Sequence, residues 1–354
     1  MKILIIKYRN IGDVLLSTPL LSNLKYFYPD SKIDFALNKE TCDILKNNIN
    51  IDNIFPHDRK LISNYSFFKK IYIEIKQLFF FRNQKYDIVI NLTEGDRGAL
   101  IAIFSGAKKK YSFKPRKGLL SYLKLFDDYG EESDNIHTVD RDLQFLKFLG
   151  LQVHYRNVDI FWSEQDEDKV NSLLEEYSVE QYIHIHPVSR WMYKCWEDNR
   201  MAKLIDFISK ESDFKVVLTG SPSEIEKEHI RLILEQCDSS PINLSGFLTL
   251  NQLAYLSSLS KLFFGVDTAP MHIAAAVGTK VFAIFGASSP VIWGPWDNES
   301  GSSYQDLIGI QKNGHHKIFS HTDRTIFFDG YIKKTKGMVS IKSDEVILEI
   351  TKDL

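Results

Sequence analysis

Residues 265–286, GVDTAPMHIAAAVGTKVFAIFG, carry the densest chemical signal in the chain. An apolar run over 262–266 stops at Asp267-Thr268, and a second run over 281–285 stops at Gly286. Between them lies an Ala-rich stretch with Pro270 in its first turn and Gly278 just past its end, which is how a helix starts and stops. Strand, capped helix and strand make a βαβ unit of a parallel sheet. The first N–H groups of such a helix lack intrahelical partners and carry partial positive charge. They form an anion site suited to a nucleotide diphosphate. His272 falls about one turn from that start, where it either donates to the anion or packs as a core histidine. Two other side chains stand out by type and setting. Asp13 follows Gly12 soon after a strand-like run, and Lys194 lies between Trp191 and Trp196. From position alone Asp13 reads as a helix cap and Lys194 as a solvated lysine lying over aromatic rings.

The elements that would position these residues alternate along the chain. The sequence predicts a strand over 2–7, a loop over 8–12 and a helix over 13–28. It predicts further strands over 32–37 and 87–91, and helices over 41–47, 67–80 and 139–149. A joint at 159–165 follows, and then the pattern restarts. A helix over 164–177, a strand over 182–186 and a helix over 198–211 precede a strand over 215–219 and a helix over 223–237. The stretch 294–337, rich in Gly, Ser, His and Asp, has no periodicity that places it, and 343–352 reads as a last helix. Alternating strands and helices imply parallel sheets wound by right-handed crossovers, with ligands beyond the carboxyl ends of the strands. A chain of 354 residues with 44% apolar content suits two globular domains.

Three segments together resemble the bacterial heptosyltransferases of glycosyltransferase family 9. They are KILIIKYRNIGDVLLSTPLL at 2–21, IHIHPVSRWMYKCWEDNRMA at 183–202 and VDTAPMHIAAAVGTKVFAIFGASSP at 266–290. Their order and separation fit the family, and RWMYKCW is most similar to the heptosyltransferase III branch, which adds a side-branch heptose to the second core heptose. The resemblance implies an α/β GT-B fold, two Rossmann-like domains with parallel sheets facing across a cleft. It implies an acceptor domain over 1–162, a donor domain over 163–340 and a C-terminal helix over 341–354 of the kind that often crosses back to the first domain. It also implies an inverting transfer from ADP-heptose to the lipopolysaccharide core on lipid A, with ADP-heptose as co-substrate and neither a bound cofactor nor a catalytic metal.

The same resemblance assigns roles that the residue types can support. An inverting transfer needs one base to take the acceptor hydroxyl proton, and the family uses the aspartate matching Asp13. A helix start lowers a carboxylate's pKa, so such a base would act mainly by position. The lysine matching Lys194 contacts donor phosphate and can neutralise the departing diphosphate. Ser189 and Arg190 are further candidate donor contacts, Arg190 replacing the family's usual small hydroxyl residue. Thr268, Ala269 and the amides after them would hold the diphosphate. Many relatives have Gly where this chain has Ala269. Asp267 would orient the loop or accept from a sugar hydroxyl. An acidic ribose ligand is expected near 221–228, either Glu224 or Glu226. Lys7, Arg9, Arg59, Lys60 and Arg97 are candidates for holding an acidic, phosphorylated acceptor, each with a solvated surface charge as its plain alternative.

Several function classes are disfavoured. A formal net charge of −2 gives no overall bias toward nucleic acid. A dinucleotide-dependent oxidoreductase needs a Gly-rich turn after the first strand, and KYRNIGD has one glycine. A sugar-nucleotide binder without turnover is disfavoured by Asp13. Three scattered cysteines without a CxxC fit a reducing cytoplasm. MKILIIKYRN reads as a buried strand and not a signal peptide, and no apolar run reaches the roughly 18 residues of a membrane span. The expected location is the cytoplasm, with peripheral contact at the inner membrane as an option. That option rests on the aromatic and basic residues of 67–82, which the plain reading packs onto the sheet instead. The basic triplet 108–110 has the same two readings.

Overall fold

A computed structural model describes residues 1–114, 125–131, 133 and 135–354. The chain divides into two compact units, Met1–Asp159 and Ile160–Leu354. The first holds strands β1 (Lys2–Lys7), β2 (Lys32–Asn38), β3 (Asn53–His57), β4 (Ile88–Asn91), β5 (Lys109–Phe113) and β6 (Asp128–Gly130). They form one sheet in the order β3-β2-β1-β4-β5-β6, every described pairing being parallel. This is the order of a doubly wound nucleotide-binding sheet, with its topological switch point between β1 and β4.

The second unit repeats that plan. Its strands are β7 (Tyr182–His186), β8 (Lys215–Leu218), β9 (Ile242–Asn243), β10 (Phe263–Val266), β11 (Val281–Phe285), β12 (Gly309–Asn313) and β13 (His316–Ser320). The order β9-β8-β7-β10-β11-β13-β12 is parallel apart from the antiparallel edge strand β12. Its switch point lies between β7 and β10. A separate hairpin pairs β14 (Ile326–Asp329) with β15 (Ile332–Thr335).

The central strands read as unbroken apolar runs because helices cover both faces of a parallel sheet. Ile3, Leu4, Ile5 and Ile6 on β1 are fully buried, as are Phe263, Phe264 and Val266 on β10. The predicted βαβ unit forms with the helix Ala269–Ala276 between β10 and β11. Gly278 ends that helix at φ +80°, where its N–H donates to Ala275 O at 3.0 Å. Gly286 has no room for a side chain: a Cβ there would stand 2.3 Å from Met338 N.

Some elements differ from the sequence reading. The helix expected over 13–28 is two helices, Ile11–Leu15 and Thr18–Phe27, because Pro19 restarts the ladder. The stretch expected as a helix over 41–47 is a 3₁₀ segment, Lys39–Leu45, and 139–149 splits into Thr138–Leu143 and Phe145–Phe148. The unplaced stretch 294–337 supplies β12, β13 and the hairpin. The last helix, Ser343–Thr351, lies within the second unit, where Lys203 of the helix Asp198–Glu211 pairs with Asp344 at 2.6 Å.

Buried neutral histidines make the fold acid-sensitive. Burial pushes the pKa of His184 down to about 3, of His186 to about 4 and of His316 to about 3. Unfolding returns each to about 6.5, so the unfolded chain binds more protons below that value. Stability is therefore full above pH 6.5 and declines as pH falls toward 4. We expect the urea midpoint to drop clearly between pH 7.5 and pH 5, and an unchanged midpoint would show that these histidines charge without cost.

Candidate functional site

Each unit gathers its unusual polar residues beyond the carboxyl ends of its strands. In the first unit, the loop after β1 leads into the short helix Ile11–Leu15, and Asp13 occupies its third position. Asp13 is 5% exposed. Its carboxylate accepts from Arg9 Nε at 3.2 Å, Asn10 N at 3.3 Å and Asn10 Nδ2 at 3.4 Å. The cap position expected for Asp13 belongs to Asn10, and Asp13 completes the cap three residues later. Arg9 holds Asp13 and remains partly exposed.

Lys7 requires a correction. It is 0% exposed, and its ammonium pairs with Asp142. Burial pulls its pKa down, and the charges of Asp142 and Asp13 oppose that pull. A lysine so enclosed is not a direct acceptor contact. It instead forms a buried ion pair that ties β1 to the helix Thr138–Leu143. Arg141 lies beside this pair, 3.6 Å from Asp142 and 3.7 Å from Glu94. Asp142, Arg141 and Glu94 carry no local sequence signal, since Lys7 and Asp142 are 135 residues apart.

The other candidate acceptor contacts share the carboxyl edge of the first sheet. Arg59 and Lys60 open the exposed helix Arg59–Ser63 after β3, with Arg59 paired to Glu40 at 3.1 Å. Arg97 opens the helix Asp96–Phe104 after β4 and pairs with Glu74 at 2.7 Å. Its guanidinium also meets His57, whose pKa falls to about 4 through burial and this neighbouring charge. The basic residues after β3 and β4 thus stand at the same edge as Asp13, whereas Lys108 pairs with Asp87 at the opposite, amino end of β5.

In the second unit, the loops after β7 and β10 meet at the switch point. Lys194, in the 3₁₀ turn Met192–Lys194, donates to Asp267 Oδ2 at 2.6 Å and reaches Asp267 O at 3.4 Å. Both side chains are largely buried. The Ser288 hydroxyl also donates to Asp267, and His272 Nε2 lies 3.9 Å from Asp267 Oδ1. His272 is 4% exposed, so its place is beside Asp267 in the interior and not on an open ligand surface. Thr268 precedes the helix in extended conformation, its hydroxyl on Val266 O at 3.2 Å. Pro270 brings no N–H, and Met271 N–H already donates to Thr268 O at 3.1 Å. The anion-facing donors therefore reduce to the amides of Thr268 and Ala269.

The remaining donor candidates separate by exposure. Ser189 is 3% exposed and its Oγ accepts from Trp191 N–H at 3.2 Å, which makes it a loop support and not an open phosphate contact. Arg190 is exposed, with its guanidinium 4.8 Å over Trp191, whose ring also lies 5.2 Å from Lys194 Nζ. Glu226 is buried and accepts from Ser221 N at 2.9 Å. Glu224, at the start of the helix Glu224–Leu234 after β8, has a 90% exposed side chain beside Lys227. Glu226 is thus already occupied in holding its loop, and Glu224 is the carboxylate a ligand can reach.

One group among the described residues has metal-ligand chemistry, Asp297 with His315 and His316. It fits a metal poorly. His316 Nδ1 accepts from Val281 N–H at 3.2 Å, which leaves the ring proton on Nε2, the atom facing Asp297. It also lies at the amino end of β13, away from the edge that carries Lys194.

Comparison with known proteins places the chain in a family. The profile of glycosyltransferase family 9 (heptosyltransferase) matches residues 77–318. Lipopolysaccharide heptosyltransferase 3 of Escherichia coli K12 is 35% identical over 292 residues, covering 80% of this chain and 82% of that protein. A family 9 glycosyl transferase from Veillonella parvula superposes with a TM-score of 0.80 at 21% identity, covering 99% of this chain and 96% of its own. The E. coli ADP-heptose lps heptosyltransferase II does so at 0.74 and 20%, covering 100% and 98%. These likenesses give the fold as GT-B, and with the profile and the 35% identical relative they establish that the chain is a glycosyltransferase belonging to family 9, the heptosyltransferases.

Proposed function

We propose that the protein transfers heptose from ADP-heptose to the inner core of lipopolysaccharide, in the manner of heptosyltransferase III. The observation that carries the donor half is the Lys194–Asp267 pair at the start of the helix Ala269–Ala276, where a cation and two amides converge at a switch point. The acceptor class and branch rest on the 35% and 30% identical E. coli relatives, both lipopolysaccharide heptosyltransferase 3.

In the proposed reaction the acceptor hydroxyl gives its proton to Asp13 as its oxygen bonds to the anomeric carbon. The bond from that carbon to the diphosphate oxygen breaks, and ADP leaves with the negative charge. One displacement inverts the anomeric centre. Lys194 and the amides of Thr268 and Ala269 stabilise the departing diphosphate as fixed donors. Arg9, Arg59, Lys60 and Arg97 hold the phosphorylated acceptor, while Arg9 and Asn10 keep the Asp13 carboxylate in place. The test pairs calorimetry of ADP binding with mass analysis of core-truncated lipopolysaccharide incubated with ADP-heptose. A mass gain of one heptose is expected. ADP binding without any gain on acceptors carrying the second core heptose would overturn the acceptor assignment.

The ribose contact gives a sharper expectation. A carboxylate accepting from two ribose hydroxyls contributes about 1.5–3 kcal/mol per charged hydrogen bond. Glu224→Ala should therefore weaken ADP binding at least about tenfold and leave the urea midpoint unchanged. Glu226→Ala should lower the midpoint instead, because it strands the Ser221 N–H. The reverse pattern would move the ribose to Glu226.

A further inference from the structure

The helix Phe67–Asn83 faces the wrong way for a packing helix. Phe81 is its only buried residue. Phe68 is 82% exposed, Tyr72 64%, Ile75 47% and Phe79 64%. At about 100° per residue these four fall within roughly 60° of one another, on the face opposite Phe81. The inner face is accounted for: Gln77 reaches Tyr8, Glu74 pairs with Arg97, and Phe81 meets Phe55. The plain expectation that the aromatic stripe packs onto the sheet is therefore not what forms. A soluble surface seldom displays so continuous an apolar stripe without a partner.

The charges beside the stripe identify the partner. Lys69 and Lys76 flank it on one side and Arg82 on the other, with Lys60 and Arg59 exposed in the preceding helix. Glu74 is the single acid in Phe67–Asn83, and it is turned to Arg97. An aromatic stripe with cationic margins matches an interfacial helix, whose rings sink into the headgroup boundary while lysines stay at the anionic surface. A second copy of the same face would oppose lysine to lysine. No described helix is long and apolar enough to cross a membrane, so the contact would lie along the surface.

We propose that Phe67–Asn83 seats the protein on an anionic lipid bilayer, with Phe68, Tyr72, Ile75 and Phe79 inserted. This deepens the transferase reading, in which the acceptor is itself carried by a lipid and the helix belongs to the unit holding Asp13. Flotation of the full chain with phosphatidylglycerol–phosphatidylethanolamine vesicles tests it, against phosphatidylcholine vesicles. The parent should float with the anionic vesicles, and 0.5 M salt should release most of it. The triple variant F68S/Y72S/F79S and the charge variant K69E/K76E should each lose at least about tenfold in partitioning, with unchanged circular dichroism. A parent that does not float, or variants that float equally well, would overturn the proposal. So would a parent that sediments as a dimer and variants that sediment as monomers without vesicle binding, since the face would then be a self-contact. Flotation needs neither donor nor turnover. A chain that floats but does not bind ADP would sink the transferase reading alone, and one that binds ADP but does not float would sink this proposal alone.

Discussion

Asp13→Asn should lower heptose transfer by about 10²–10⁴-fold and leave ADP affinity within about twofold. The asparagine keeps the volume and the oxygen that accepts from Asn10 N–H, so the short helix Ile11–Leu15 retains its start. What it loses is the ability to take a proton. The loss should appear in kcat with little change in KM for either substrate, since neither the diphosphate nor the acceptor phosphates depend on that carboxylate. The plain alternative is that Asp13 merely completes a cap, and it makes a different forecast. A cap is worth about 0.5–2 kcal/mol of stability, and the asparagine preserves it, so on that reading both the urea midpoint and turnover per folded molecule would stay nearly normal. Measuring both quantities on the same preparation separates the two. Near-normal turnover would remove Asp13 from the mechanism. The surroundings support the base reading. Arg9 and Asn10 fix the carboxylate, and Lys7 is paired with Asp142 in the buried interior of the same unit.

How much of this was legible in the sequence depended on whether the signal was local. The βαβ unit was readable almost to the residue because Thr268, Pro270 and Gly278 punctuate it within ten positions, and β7 and the helix Asp198–Glu211 formed where their patterns put them. The buried Lys7–Asp142 pair was not readable, because nothing near either residue announces a partner 135 positions away. For the same reason Lys7 looked like an acceptor contact. The stretch 294–337 hid β12 and β13 because its edge strand is solvent-facing and carries polar residues in place of an apolar run. The helix Phe67–Asn83 was readable as a helix but not as an outward-facing one. Periodicity fixes which residues share a face and leaves open whether that face meets the core or something else. Glu224 and Glu226 are two residues apart, so sequence alone could not say which one a ligand can touch. Burial separates them.

Lys194→Ala should cut transfer by about 10²-fold or more and weaken ADP binding as well. Two effects add. The substitution removes the cation that faces the leaving diphosphate, and it leaves the largely buried Asp267 carboxylate with the Ser288 hydroxyl as its remaining close side-chain donor. An uncompensated carboxylate there would repel the donor, and truncating one member of such a pair typically costs about 2–5 kcal/mol. The single variant therefore cannot say whether Lys194 acts on the diphosphate or only neutralises Asp267. The double variant K194M/D267N can, because it removes both charges and keeps the volume. If Lys194 only balances Asp267, the double variant should recover most of the transfer rate. If Lys194 works on the departing phosphate, the double variant should recover stability and part of the ADP affinity while its transfer rate stays at least about tenfold below the parent. An ammonium has three N–H donors, and Asp267 engages it through one short and one long contact, so a donor remains for a phosphate oxygen. We expect the second outcome, and full recovery of kcat in the double variant would reduce Lys194 to a structural counter-ion.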